Sequence, residues 1–430
     1  HLDRSSKGSR ARSGRSDASG GAANAFPSLR SPYSTVPKMI PFREAFDLLL
    51  KHTSVLATER VRIEDAAGRV LRQEISADRD FPPFDRVMMD GFALRAADFA
   101  QGRRFLISGS APAGRATACL PERTRSCLEI MTGAPMPVGA NCIVPVEDVV
   151  RSGEEIMVDD SFEPQAGRFI HWAGSDARAG DRLLAGGVRL GCREIGIAAS
   201  CGAAWIEVSR LPRVAVLATG DELVQVDETP AHHQIRQSNA HAIACVLRRS
   251  GIPPAKTGTI SDAPEQHQLV RTFLADHDWL LLTGAVSKGA HDFVPDLLDS
   301  LGCEKLFHGI AQRPGKPAGC WLGPSGQIVV ALPGNPVSAL TGLYALVLPA
   351  LAVSMGMPLP PPRLVTLAEP VRSLPGMTHH LPVALGVGDC ARPAPTGNSG
   401  DFIGLLKSSG FVTVLPGPVG PSSLPFTPWT

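Results

Sequence analysis

Between Arg213 and Ser338 the chain carries four loops whose residue types suit an anionic ligand. They are Thr219-Gly220-Asp221-Glu222, Thr283-Gly284-Ala285-Val286-Ser287-Lys288-Gly289, Arg313-Pro314-Gly315-Lys316-Pro317 and Pro333-Gly334-Asn335-Pro336-Val337-Ser338. Loops of Gly, Pro and small hydroxyl residues leave backbone N–H groups open to an oxyanion, and Lys288, Arg313 and Lys316 add positive charge beside them. The Asp221 carboxylate suits Mg²⁺ held against phosphate oxygens, where one or two acids are the usual protein contribution. Taken together, the loops imply a ligand that bears phosphate or another oxyanion.

Each loop alone also has a plain structural account. Asp221 can cap a helix or close a turn. A tight strand-to-helix turn would explain the glycines of 284–289, although Ser287, Lys288 and Asp292 place a hydroxyl, a cation and an acid within one turn. The loop is neither a Walker A sequence nor G-x-G-x-x-G. Two prolines fix the backbone around Lys316, which lowers the entropy cost of holding it in place, and Asn335 is restricted by the proline after it. Asp85-Arg86-Val87-Met88-Met89-Asp90-Gly91 carries two acids and a glycine, a pattern more common in turns than in sites. The 12 His residues include no HExxH spacing, and no nucleophile elbow marks a Ser hydrolase.

The elements that would position these loops can be read from periodicity. Short apolar runs at 213–218, 279–282 and 328–332 each lead into one of the loops, as buried parallel strands do. Ligands of open α/β sheets sit beyond the carboxyl ends of such strands. A helix over 239–249 closed by Gly251, a capping-box start at Asp262-Ala263-Pro264-Glu265 and a helix over 293–301 alternate with them, which predicts a mostly parallel, three-layer sheet. An amphipathic helix is expected over 40–50, and short β-like runs separated by turns fill 104–158. The proline-rich stretch 358–362 reads as a stiff linker into a last β-rich segment. Residues 339–357 are uncharged and reach the lower length for a membrane span, but Gly342, Pro349 and Gly356 interrupt them; a buried helix is expected.

Composition narrows the classes. A chain of 430 residues implies two to four domains, and a formal charge of +1 gives no global pull toward nucleic acid or membrane. Nine scattered Cys without a CxxC pair suit a reducing, cytoplasmic setting better than a disulfide framework or metal finger. Residues 1–37, rich in Ser, Gly, Ala and Arg, are expected to be a disordered tail without the apolar core of a secretory signal.

In order along the chain, the loops resemble the MoeA family of molybdopterin molybdotransferases, which includes the gephyrin E domain. The resemblance rests on Met89-Asp90-Gly91-Phe92-Ala93, Met131-Thr132-Gly133-Ala134-Pro135, Val144-Pro145-Val146-Glu147-Asp148, Thr219-Gly220-Asp221-Glu222-Leu223, Gln234-Ile235-Arg236-Gln237-Ser238-Asn239, Val286-Ser287-x-Gly289 with Asp292, Pro314-Gly315-Lys316-Pro317 and the loop 332–338. It covers residues 38–430 and is weakest at the C-terminal end. It implies a homodimeric, Mg²⁺-dependent enzyme that binds adenylylated molybdopterin, hydrolyses its phosphoanhydride, places molybdate on the dithiolene sulfurs and releases AMP. The implied fold is multidomain α+β. A disordered tail (1–37) precedes an elongated N-terminal dimerisation domain (38–100 and 162–210) with a small β domain (101–161) inserted. A central three-layer α/β domain (211–357) and a C-terminal β domain (358–430) follow.

On this resemblance Asp90, Asp221 and Lys316 are the catalytic candidates, and Asp221 and Asp292 the metal candidates. Substrate contacts fall to Thr132, Gly220, Gly284, Ser287, Gly289, Arg313, Pro314, Gly334, Asn335, Pro336 and Ser338, with Asp90 and Thr132 completing the cleft across a dimer interface. Two departures stand out: Ala285 replaces the second glycine of the family's Gly-Gly-Val-Ser loop, and Ser175 cannot ionise where many members carry an acid or His. They motivate one alternative, a scaffold protein that retains the fold; a related nucleotide- or pterin-phosphate hydrolase is a further alternative.

Overall fold

The structure, a computed structural model, describes residues 39–254, 256–261, 264–284, 293–394, 396–417 and 423–429. Expectations for residues 1–37 and for Ala285, Ser287, Lys288, Gly289 and Asp292 lie outside those residues.

A six-stranded sheet forms the centre of the chain. Its order is Lys256–Ile260, Val214–Thr219, Trp279–Thr283, Ile328–Leu332, Gly319–Leu322 and Glu304–His308. The first four strands are parallel, and the last two are added through antiparallel pairings. Every residue of Val214–Thr219 is buried because helices cover both faces. Val214, Val216 and Ala218 pack with Ala240, Ile243 and Leu247 of the helix Asn239–Arg249. The alternate residues Ala215 and Leu217 pack with Val270, Phe273 and Leu274 of the helix Pro264–Asp276. The period-2 alternation of a strand thus feeds two separate cores.

The uncharged run near residue 340 belongs to the first of these cores. Among the described residues, Pro336–Ser354 is the one helix long and apolar enough to cross a membrane, and 67% of its apolar window is buried. Ala339, Leu343, Leu346, Val347 and Leu351 pack in the same cluster as Val216 and Leu281.

Two further sheets flank this unit. The segments either side of the inserted β region zip together through short antiparallel ladders: Thr58–Arg62 with Trp205–Ser209, Ile75–Ser76 with Arg182–Leu184, and Arg86–Val87 with Ile170–His171. Beyond them lies a six-stranded sheet in the order Cys142–Pro145, Gly91–Leu94, Ser126–Ile130, Arg104–Ala111, Glu155–Val158, Val149–Ser152. Gly91–Leu94 joins this sheet although it lies upstream of residue 101, where the sequence suggested the β region begins. Glycine is required there, since a Cβ on Gly91 would stand 2.0 Å from the Val144 carbonyl oxygen.

The C-terminal sheet closes on itself. Thr378–Leu385 pairs with both Cys390–Pro393 and Gly410–Val414, and Arg363–Leu367 and Ser423–Pro428 complete the ring. It also recruits Ile310–Arg313, and through it Ile40–Pro41, as parallel additions, so it extends well outside residues 358–430. His380 sits at this junction. Its ring makes edge contacts with Phe42 at 4.7 Å and Phe411 at 5.3 Å, joining the helix Phe42–His52 to the ring of strands.

Burial, with His379 nearby, pushes the His380 imidazole down to about 3. Unfolded, the same group takes its proton near pH 6.5, so between those values the unfolded chain holds one proton more than the fold. Stability contributed by neutral His380 is therefore full above the unfolded value and declines as pH falls toward 3, by about 1.4 kcal/mol per pH unit. Urea unfolding of His380→Phe between about pH 4 and 6 should show that part of the slope removed; an unchanged slope would mean that His380 is not buried neutral.

Candidate functional site

Three neighbouring strands of the central sheet discharge into one cavity of about 820 Å³. It lies where the strand order reverses: from Val214–Thr219 the chain moves outward to Lys256–Ile260, then returns to the other side at Trp279–Thr283. Such a reversal leaves a crevice between loops that depart in opposite directions. Gly220, Asp221, Gly284, Gly334, Asn335 and Pro336 all reach its wall, so six of the residues expected to form a site from sequence come together here.

Hydrogen bonds between strand ends hold the loops close. The Gly284 N–H donates to Leu332 O at 3.0 Å, and the Thr283 hydroxyl donates to Pro333 O at 3.2 Å. Asn239, first residue of the helix Asn239–Arg249, donates its side-chain amide to Thr283 Oγ1 at 3.0 Å and Gly334 O at 2.7 Å. Gly284 itself has φ +104°, and a Cβ there would meet the Thr219 carbonyl oxygen at 2.2 Å. Only glycine allows the end of the second strand to lie against the end of the first at this point.

A loop of the C-terminal segment supplies part of the rim. Gly400 lines the cavity, and next to it Ser399 Oγ accepts from Asn335 Nδ2 at 2.8 Å. The Ser399 carbonyl also accepts from the Val337 N–H at 3.2 Å, taking one of the free donors at the start of the helix Pro336–Gly342. Asn335 is thus committed to a loop contact by its amide nitrogen.

Asp221 and Glu222 bring two exposed carboxylates to the wall, and among the described residues neither forms an ion pair. Arg236 reaches the same wall and donates through Nε to Glu228 O at 3.1 Å. Of the loop 313–317, Pro317 lines the cavity, whereas Arg313, Pro314 and Lys316 do not; Arg313 and Lys316 are exposed. Buried Gln312 donates to Gly315 O at 3.2 Å and holds that loop in its turn. Ser338 is buried within its helix and does not reach the cavity.

Asp90 and Thr132 lie apart from the cavity, on the N-terminal β region. The Thr132 N–H and hydroxyl both donate to Asp90 Oδ1, at 2.7 and 2.8 Å. These two bonds, the backbone one first, hold the Asp90 carboxyl below its ordinary range. Exposed Met88, Met131, Val146 and Trp172 surround the pair in sequence and strand pairing.

Glu222, Gln237, Asn239 and Phe293 also form the wall, and sequence reasoning assigned them no role. Three of them fall inside quoted motifs, but their spacing alone does not distinguish a wall residue from a turn residue.

Two outcomes follow from this geometry. Gly284→Ala should lower stability by about 2–4 kcal/mol, through positive φ and the clash with Thr219; an unshifted urea midpoint would mean that the loops do not meet as described. Thr132→Val removes the hydroxyl donor, so the Asp90 carboxyl should titrate nearer its ordinary value when followed by NMR. No upward movement would show that the hydroxyl does not stabilise the carboxylate.

Known proteins place these features in a common frame. Residues 40–202 match the MoeA N-terminal region (domain I and II), and residues 215–353 match a probable molybdopterin binding domain. A molybdopterin molybdenumtransferase of Synechocystis is 33% identical over 383 residues, 87% of this chain and 95% of that protein. One from Synechococcus elongatus is 37% identical over 355 residues, 79% of this chain and 86% of its own. The solved molybdopterin biosynthesis moeA protein of Pyrococcus horikoshii superposes with a TM-score of 0.75 at 26% identity, across 91% of this chain and 100% of that one. With both regions matched and the likeness running through nearly the whole chain, this protein belongs to the MoeA family.

Proposed function

We propose that the chain is a molybdopterin molybdenumtransferase, which inserts molybdate into adenylylated molybdopterin and releases AMP. The observation that carries this reading is the convergence of three Gly- and Pro-rich loops on one cavity at the strand-order reversal, in a chain 33% identical to a relative of that name. Backbone N–H groups around Gly220 and Gly334 would bind phosphate oxygens of the substrate, as donors at strand ends do. Lys316 and Arg313 would neutralise the charge of molybdate or of the departing phosphate.

Asp221 fits a Mg²⁺ site: its carboxylate is exposed at the wall, forms no ion pair among the described residues, and has Glu222 as a neighbour. Asp292 is the second proposed ligand. The ion would supply positive charge between the carboxylates and the phosphoanhydride.

The same proposal includes a cytoplasmic homodimer that uses neither membrane nor nucleic acid. In it Asp90 and Thr132 of one copy complete the cleft of the other. Exposed Met88 and Met131, at 51% and 52%, support an interface around that pair. The division into an elongated N-terminal domain, inserted β domain, central three-layer domain and C-terminal domain belongs to the same reading.

Asp221→Ala and Lys316→Ala should each lower AMP release from adenylylated molybdopterin by about 100-fold or more. Their thermal midpoints should stay near the wild-type value, because both side chains are exposed. Full activity in both variants would sink the assignment. AMP release indifferent to molybdate would favour a phosphohydrolase, and substrate binding without release a scaffold.

A further inference from the structure

The cavity wall contains an amide that the fold leaves unused. Gln237 lines the cavity yet is only 4% exposed, and its Oε1 is buried without a hydrogen-bond partner. Its backbone N–H donates to Val224 O at 2.9 Å, which continues the parallel pairing of Ile235–Arg236 with Leu223–Val224. Ile235 and Arg236 before it are exposed, so this short pairing fixes Gln237 as the point where the chain turns inward.

Other amides near the site are committed. Asn239 donates to Thr283 and Gly334, and Asn335 donates to Ser399. Gln312 also has an unpartnered Oε1, but its nitrogen is held by Gly315 O and the residue does not line the cavity. Among the described residues, Gln237 is the cavity-lining side chain with a buried, unsatisfied acceptor.

Buried acceptors in folded proteins are nearly always paired, so one left over at a cavity wall points to a partner supplied from outside. The terminal torsion of a Gln amide is broad and roughly two-fold, so its acceptor and donor can exchange places when a guest binds. An amide offers an acceptor beside a donor, the pattern by which Gln reads the amino and ring-nitrogen edge of adenine. Phe293 on the same wall adds aromatic surface suited to a flat ring.

We propose that Gln237 recognises the exocyclic amine of a heteroaromatic ring of the substrate. This rests on the function proposed above, and it assigns a specificity residue to that site. Both halves of such a substrate carry the required group, the adenine of the adenylate and the pterin, and deaminated analogues separate them.

Calorimetric titration of the full chain with AMP against inosine monophosphate, and with pterin against lumazine, tests the assignment. For the ring that Gln237 reads, the wild type should favour the aminated ligand by about 10-fold, the value of one hydrogen bond. Gln237→Met keeps the bulk and should bring that ratio near one. Gln237→Glu keeps an acceptor, loses the donor and repels a keto oxygen, so its ratio should widen; it serves also if the Met variant melts early. A changed AMP ratio assigns Gln237 to adenine, and a changed pterin ratio assigns it to the pterin. If neither substitution moves either ratio while the ligands still bind and AMP release persists, Gln237 reads no amine and the functional reading survives without it. If the wild type binds none of the four and releases no AMP, the functional reading fails and this inference with it.

Discussion

The side-chain amide of Asn239 is the contact on which the site depends. It spans two strand ends at once, bonding to residues 44 and 95 positions further along the chain. Each bond is worth only about 1 kcal/mol of net stability. Its effect is geometric: Thr283 passes the constraint to Pro333 through its hydroxyl, and Gly284 is drawn against Leu332. The ends of the second and third site strands therefore stand at fixed separation, with the end of the first brought in by the missing side chain of Gly284. Oxyanion-binding loops need that fixity, because backbone donors stabilise charge best when they need not reorganise.

The rim is held by a different means. Ser399 reaches from the C-terminal ring to Asn335 and to the start of the helix Pro336–Gly342, while Ile310–Arg313 extends that ring's sheet from the central region. His380, between Phe42 and Phe411, fastens the first helix into the same junction. The C-terminal segment, where the sequence resemblance is weakest, is thus mechanically part of the site.

Much of this was legible in the residues themselves. The strands Val214–Thr219, Trp279–Thr283 and Ile328–Leu332 read clearly because burial on both faces demands an unbroken apolar run, which few other elements need. Gly220, Asp221, Gly284 and Asn335 were legible for the same reason, since a loop that directly follows such a strand must lie at its carboxyl end. Gly91–Leu94 was harder: its membership of the distal sheet is decided by pairing with Val144 and Ile130, far along the chain, and nothing local encodes it. The recruitment of Ile40–Pro41 and Ile310–Arg313 by the C-terminal sheet escaped for that reason too. Gln237 and Asn239 were visible as letters of a motif, but one acquires its role from a bond it lacks and the other from two long-range bonds.

The charges on the wall constrain what the cavity can hold. Asp221 and Glu222 stand at it, while Arg313 and Lys316 lie outside its lining. A phosphate brought next to two carboxylates is repelled by both, and exposed Arg313 and Lys316 offset only part of that, because salt screens charges outside the lining. Backbone donors at the strand ends offset part of that repulsion, since they carry partial positive charge with no counter-ion. On the proposed function the remainder falls to a divalent cation between Asp221 and the phosphate, which would turn that carboxylate from an obstacle into a ligand. On that proposal Asp221 and the glycine-lined strand ends would be one device, in which neither part favours an anionic substrate without the other.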